Sequence, residues 1–255
     1  MWKEFLPALS SVCLLVAAVQ SVSADTTIPA TSLKFRGAGI ELYTHNQATK
    51  ITDIAIQNPL IAALLPANTK DLVTINNEVT TVGAKLDYWV NPHLKVFGGI
   101  SEVTGEANVN LSALPGLGLS DLVFDADGTL YNAGATLATQ QGRYFSALTY
   151  VHTRVDWDAG IKDGTVNTLI PSVGILTGVG AFDVGAIYQL ATLDYAGTLV
   201  LPGLGEVATE VRGETADTLA YRVGYYTPVG NDLYLSASAG FGGWEEARLE
   251  VSKRF

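Results

Sequence analysis

The sequence predicts an all-β chain folded as a single antiparallel up-and-down transmembrane β-barrel. Three observations carry this reading. Apolar and polar residues alternate with a period of two over several segments, short turns and longer connections alternate along the chain, and the chain closes on an alternating strand that ends at Phe255. A period of two places successive side chains on opposite faces of a strand, and alternating connection lengths separate the two ends of a barrel.

The first element is not a strand. Residues 1–24 carry Lys3, an apolar stretch through Val19, and small residues at Val22 and Ala24, the layout of a secretory signal cleaved after Ala24. The single cysteine, Cys13, lies inside this segment. Residues 25–255 are therefore expected to form the barrel domain without disulfides. Removing Lys3 and Glu4 leaves the net charge at −10, and an acidic chain without a basic stripe is a poor partner for nucleic acid. No later stretch approaches the roughly 18 unbroken apolar residues of a spanning helix.

Strands are expected at about 33–45, 71–90, 94–107, 128–140, 143–157, 165–178, 181–194, 214–228, 231–242 and 245–255. That is about ten strands, with eight or twelve as the counts a slipped boundary would give. In Val82–Val90 the face Val82, Ala84, Leu86, Tyr88 and Val90 opposes Gly83, Lys85, Asp87 and Trp89. Phe145, Ala147, Val151, Val155 and Trp157 oppose Ser146, Tyr150, His152, Arg154 and Asp156 in the same way, and Leu219, Tyr221, Val223 and Tyr225 oppose Ala220, Arg222, Gly224 and Tyr226. The alternation slips between Phe35 and Ile40 and again near Thr80, places where a bulge would be expected.

Asn91-Pro92-His93, Gln141-Gly142, Val179-Gly180 and Gly230-Asn231-Asp232 supply tight turns after every second strand. Two aromatic belts are expected from position along the strands. Tyr88, Trp89, Tyr144, Phe145, Phe182, Tyr225, Tyr226 and Phe255 fall near the short-turn end, and Tyr43, Trp157, Tyr195 and Trp244 near the other.

The last strand, ARLEVSKRF, sets Ala247, Leu249, Val251 and Phe255 against Arg248, Glu250, Ser252 and Arg254. An alternating final strand closing on phenylalanine resembles the C-terminal signature of Gram-negative outer-membrane barrels. The plan of residues 33 to 255 resembles the small OmpA-like, opacity-like and OmpW-like members of that class. The resemblance implies residence in the bacterial outer membrane, outer-membrane lipid as surroundings, and recognition of Phe255 by the barrel-assembly machinery during biogenesis.

With the apolar faces turned to lipid, the other faces line the lumen. They place Lys85, Asp87, Lys95, His152, Arg154, Asp156, Asp183, Gln189, Arg222, Arg248, Glu250 and Arg254 inside, as a mutually neutralising network or as the wall of a narrow pore. His152, Arg154 and Asp156 share one face, and a histidine near a carboxylate is a general-base pattern. No second histidine stands at a suitable spacing and no serine nucleophile motif accompanies it, so no catalytic site and no enzyme is predicted. Asp125-Ala126-Asp127-Gly128 lacks the further ligands and closing glutamate of a calcium loop. It reads as turn chemistry, as does Asp163-Gly164-Thr165. No metal and no cofactor is expected.

LPGLG occurs twice, at Leu114–Gly118 and Leu201–Gly205, and Asn58–Pro66 is apolar too. Leu64, Leu114, Leu117, Leu201 and Leu204 are therefore expected on apolar loops at one rim. There they either pack on each other or meet a small apolar ligand. Three functions follow as alternatives: a narrow passive pore for small or apolar solutes, a sealed barrel acting through its surface, and, with least support, a membrane-embedded hydrolase using His152.

Overall fold

A computed structural model describes residues 35–57, 68–110, 121–157, 161–201 and 205–255. The expected signal segment and Leu64, Leu114, Leu117 and Leu204 lie outside the described residues. The strands are β1 (Arg36–Ile56), β2 (Thr74–Asn91), β3 (Leu94–Val109), β4 (Leu122–Asp125), β5 (Gly128–Gln141), β6 (Tyr144–Trp157), β7 (Ile161–Thr177), β8 (Gly180–Leu201), β9 (Gly205–Thr215), β10 (Leu219–Gly230), β11 (Leu233–Gly242) and β12 (Glu245–Arg254). One short helix, α1 (Thr69–Leu72), precedes β2.

Ten of these strands close a ring in which every pairing is antiparallel: β1-β2-β3-β5-β6-β7-β8-β10-β11-β12 and back to β1. Closure leaves no unpaired edge within the ring, the condition a sheet must meet in hydrocarbon. β4 lies off the ring and pairs with β3 above β5.

β9 fills a gap that the short β11–β12 hairpin leaves. β1 pairs with β12 from Gly37 to Asn46 and then changes partner to β9 from Thr49 to Ile56. β8 makes the matching exchange, pairing with β10 up to Tyr188 and with β9 from Thr192. The junction is closed by the Gln189 side-chain amide donating to Gln47 Oε1 at 2.8 Å and by Ala191 N–H donating to Thr215 Oγ1 at 2.7 Å. The second LPGLG is thus the β8–β9 hairpin, with Leu201 paired to Gly205. Asp163–Thr165 lies within β7, beside a register shift between Ile161 and Gly164, and is not a turn.

The short-turn end is held by side chains that satisfy turn amides. Asn91 Oδ1 accepts from His93 N–H at 2.8 Å and Leu94 N–H at 2.9 Å, and Gly142 takes the left-handed conformation (φ 61°) that β5–β6 requires. At the opposite end the β11–β12 connection is only Gly243–Trp244, as the expected strand bounds of 231–242 and 245–255 place it.

No bulge occurs at either expected slip. β1 stays in register with β2 from Arg36 to Lys50, and β2 with β3 from Ile75 to Trp89. The geometry continues unbroken while the chemistry exchanges faces. On β2 the outer face reads Val90, Tyr88, Leu86, Ala84, Val82 from the turn upward, then Thr80, Glu78, Asn76, Thr74. β3 changes between Ile100 and Glu102, β6 between Tyr150 and His152, β7 between Leu169 and Asn167, and β8 between Leu190 and Thr192.

Below this line the outside is apolar and exposed, with Ile40 at 66 % and Leu86 at 69 %. Val82 to Val90 spans about 27 Å along the strand and, at a tilt of about 40°, about 21 Å of height, close to the apolar band of a membrane barrel. Above the line the apolar residues turn inward, with Val103 and Ile187 each 1 % exposed. Ile170, Ile187, Ala220 and Trp244 form one inner cluster, and Ile51, Val73, Ile75 and Ala107 another.

The aromatic belts are correspondingly redrawn. Tyr88, Tyr144, Phe182 and Phe255 are exposed near the short turns, but Trp89, Phe145 and Tyr226 point inward. The upper girdle is Tyr131, Tyr150, Tyr188, Tyr221 and Phe241, whereas Tyr43 and Trp157 line the interior and Trp244 is buried.

Candidate functional site

The lower interior is built by one wall of the ring. β12, β1 and β2 alternate small and charged residues inward, so that Gly37 and Gly39 on β1 leave space for side chains from β12 and β2 to meet over them. A Cβ on Gly37 would lie 2.6 Å from Asp87 Oδ2 and 2.7 Å from Arg254 Nη1. The glycines that make the β1 alternation hard to read are therefore what the ion pairs need.

Arg254 bonds Asp87, and Lys85 bonds Glu250 while lying 4.0 Å from Glu41. Arg248 is 3.6 Å from Glu41, and Arg222 on β10 is 3.4 Å from Asp183 on β8. Higher up, Glu246 accepts from the Tyr43 hydroxyl and from Trp244 Nε1, both at 3.1 Å. Pairing of this kind offsets the cost of removing charge from water.

The facing wall, β5 to β7, carries no charge toward the lumen among the described side chains. It offers Asn132, Thr136, Thr149, Thr153 and Thr168, with Thr136 and Thr149 hydroxyls 3.0 Å apart. Phe97 covers Gly134, and Phe145 covers Gly174, each glycine being the phenylalanine's cross-strand partner.

Between the two walls runs a cavity of about 400 Å³. Its lining extends from Lys95 and Tyr226 near the short turns to Thr49, Asn77 and Leu193 near the other end. Six buried side-chain atoms have no hydrogen-bond partner among the described residues: His45 Nε2, Asn132 Oδ1, Trp157 Nε1, Arg222 Nε, and Asp183 Oδ1 and Arg248 Nε, which face their ion-pair partners only at 3.4 and 3.6 Å. All six residues line this cavity. Buried polar atoms are ordinarily matched by protein or water, so their convergence on one space marks it as a wet compartment.

Of the residues the sequence places in the lumen, Lys85, Lys95, Asp183, Arg222, Arg248 and Glu250 line the cavity, and Asp87 is buried inside against Arg254. His152, Arg154 and Asp156 are not in the lumen. All three are exposed on the outer face of β6, while Val151, Thr153, Val155 and Trp157 point inward. The reason is their height: above the apolar belt the outer face of the wall is polar and the apolar residues face inward. His152 Nδ1 lies 2.9 Å from Asn167 Oδ1, which also accepts from the Tyr150 hydroxyl at 2.8 Å.

The sequence reading missed Glu41 and Glu246. Glu246 keeps strict alternation with the recognised inward positions Arg248 and Glu250 on β12, and that spacing was the available signal; Glu41 alternates with Tyr43 on β1, which the sequence reading placed in an aromatic belt, so no such signal marked it.

No protein-family model and no curated protein matches this chain. Among solved structures it is similar to the outer membrane protease OmpT of Escherichia coli, at 8 % identity and a TM-score of 0.47, covering 89 % of this chain and 100 % of that one. It is also similar to the translocator domain of the autotransporter NalP of Neisseria meningitidis (11 %, TM-score 0.40, 98 % of each chain). A third is the Pseudomonas putida toluene transporter TodX (10 %, TM-score 0.32, 92 % and 91 %).

Proposed function

We propose that this chain is exported by its N-terminal segment, inserted in a bacterial outer membrane by the barrel-assembly machinery, and serves there as a narrow, water-filled passage for small polar solutes. The observation that carries the reading is the cavity between a charged wall and a threonine wall, into which six buried polar atoms converge. A purely structural core of this width would satisfy such atoms internally. The apolar outer belt and the ring closure support lipid as the surroundings.

The charged wall also suits selective passage, since paired charges hold water and ions without fixing the lumen at one extreme potential. The test is the conductance of the full chain, recovered from host membranes and placed in a planar lipid bilayer. Reproducible small steps are expected.

A second reading has its own observation. The Arg254–Asp87 and Lys85–Glu250 pairs bridge over β1 toward the short-turn end, where they could act as a seal. A folded, electrically silent barrel would favour it, with the outer sheet of β8, β9, β1, β2, β3 and β4 as the working surface.

A further inference from the structure

We propose that Lys95 is an anion-binding station at the short-turn end of the passage, so that the lumen prefers small inorganic anions to cations. This rests on the passage reading above. Four of the inward cations are neutralised in place: Lys85, Arg222, Arg248 and Arg254 each lie within 4.0 Å of a carboxylate. Lys95 has no carboxylate within that distance among the described residues. Its ammonium instead lies 5.8 Å from the Trp89 ring centre and 5.9 Å from that of Phe97.

Aromatic faces stabilise a cation without accepting its hydrogen bonds in the way a carboxylate does. The three N–H donors of the ammonium are therefore left for a solute. Directly across the sheet Lys95 is in register with Thr136, which is paired in turn with Thr149. Both hydroxyls line the same cavity. An anion of chloride or phosphate size held there meets one full positive charge and neutral hydroxyl donors. Lys85, Arg222, Arg248 and Arg254 are matched by Glu250, Asp183, Glu41 and Asp87, and the remaining carboxylate, Glu246, sits higher up with Tyr43 and Trp244, so the sign of the lumen at the short-turn end is set by Lys95.

The test is the reversal potential of the full chain in a planar bilayer under a KCl gradient. Wild type is expected to favour chloride roughly threefold, the scale of one charge at about 6 Å in water. Lys95→Gln should bring the ratio close to unity, Lys95→Glu should invert it, and Lys95→Arg should retain it. Thr136→Val, which keeps volume and removes the hydroxyl, should lower the preference and carries the test if Lys95→Gln does not insert. A conducting wild type that prefers cations, or the same reversal potential in wild type and Lys95→Gln, overturns the station and leaves the passage standing. A silent wild-type barrel removes the passage and the station together.

Discussion

The lower and upper halves of β2 have the same backbone and opposite chemistry. From Val90 to Val82 the outward residues are apolar and the inward ones include Lys85 and Asp87; from Thr80 to Thr74 the outward residues are polar and the inward ones include Val79 and Ile75. The register with β1 and β3 is continuous throughout. Alternation is a constant of the pleat, and which face takes the apolar residues depends on the solvent outside at that height. Around the lower ring the exposed apolar belt suits the hydrocarbon of the proposed membrane setting. Above it the outer face is polar and suits water, and the wall packs inward like a soluble barrel.

The comparison is broken most severely by attacking the lower interior. Asp87→Ala leaves the Arg254 guanidinium buried without its carboxylate and should cost about 3–5 kcal/mol, read by urea unfolding in lipid vesicles. Adding Arg254→Ala should recover part of that loss. Next comes the lower exterior: Leu86→Arg should cost about 2–4 kcal/mol, whereas Ile100→Arg at the edge of the belt should cost about 0–1 kcal/mol. Equal penalties at both sites would remove the belt as drawn.

In the upper interior, Ile187→Val removes one methylene from a fully packed position and should cost about 0.5–1.5 kcal/mol in the same assay. The upper exterior should tolerate most. His152→Ala is expected within about 0.5 kcal/mol of wild type, with its single-channel conductance unchanged. A large conductance change would return His152 to the lumen.

The legible part of the fold was local. Asn91 and Gly142 mark their turns because a side-chain acceptor and a left-handed residue are needed there, and the final strand has the facing that its alternation predicts. β6 was misread because YFSALTYV is apolar on both faces, so local pattern does not say which is outward. The cross-strand partners decide: Phe145 belongs inside because Gly174 lies opposite and needs cover. The charge network was legible as a set of inward residues but not as pairs, since Arg254 and Asp87 meet over β1 from strands that are not neighbours.

By itself, the sequence determined the strand class, a count of about ten strands and the tight turns at one end, because a pleat's period and a turn's dihedral angles are local properties of a few residues. Only the tertiary structure decided where the outer face changes from lipid-compatible to water-compatible, which charges neutralise each other, and how β9 spans the gap above the β11–β12 hairpin. Those depend on height in the barrel and on contacts between residues distant in the chain, and neither quantity is written in any single strand.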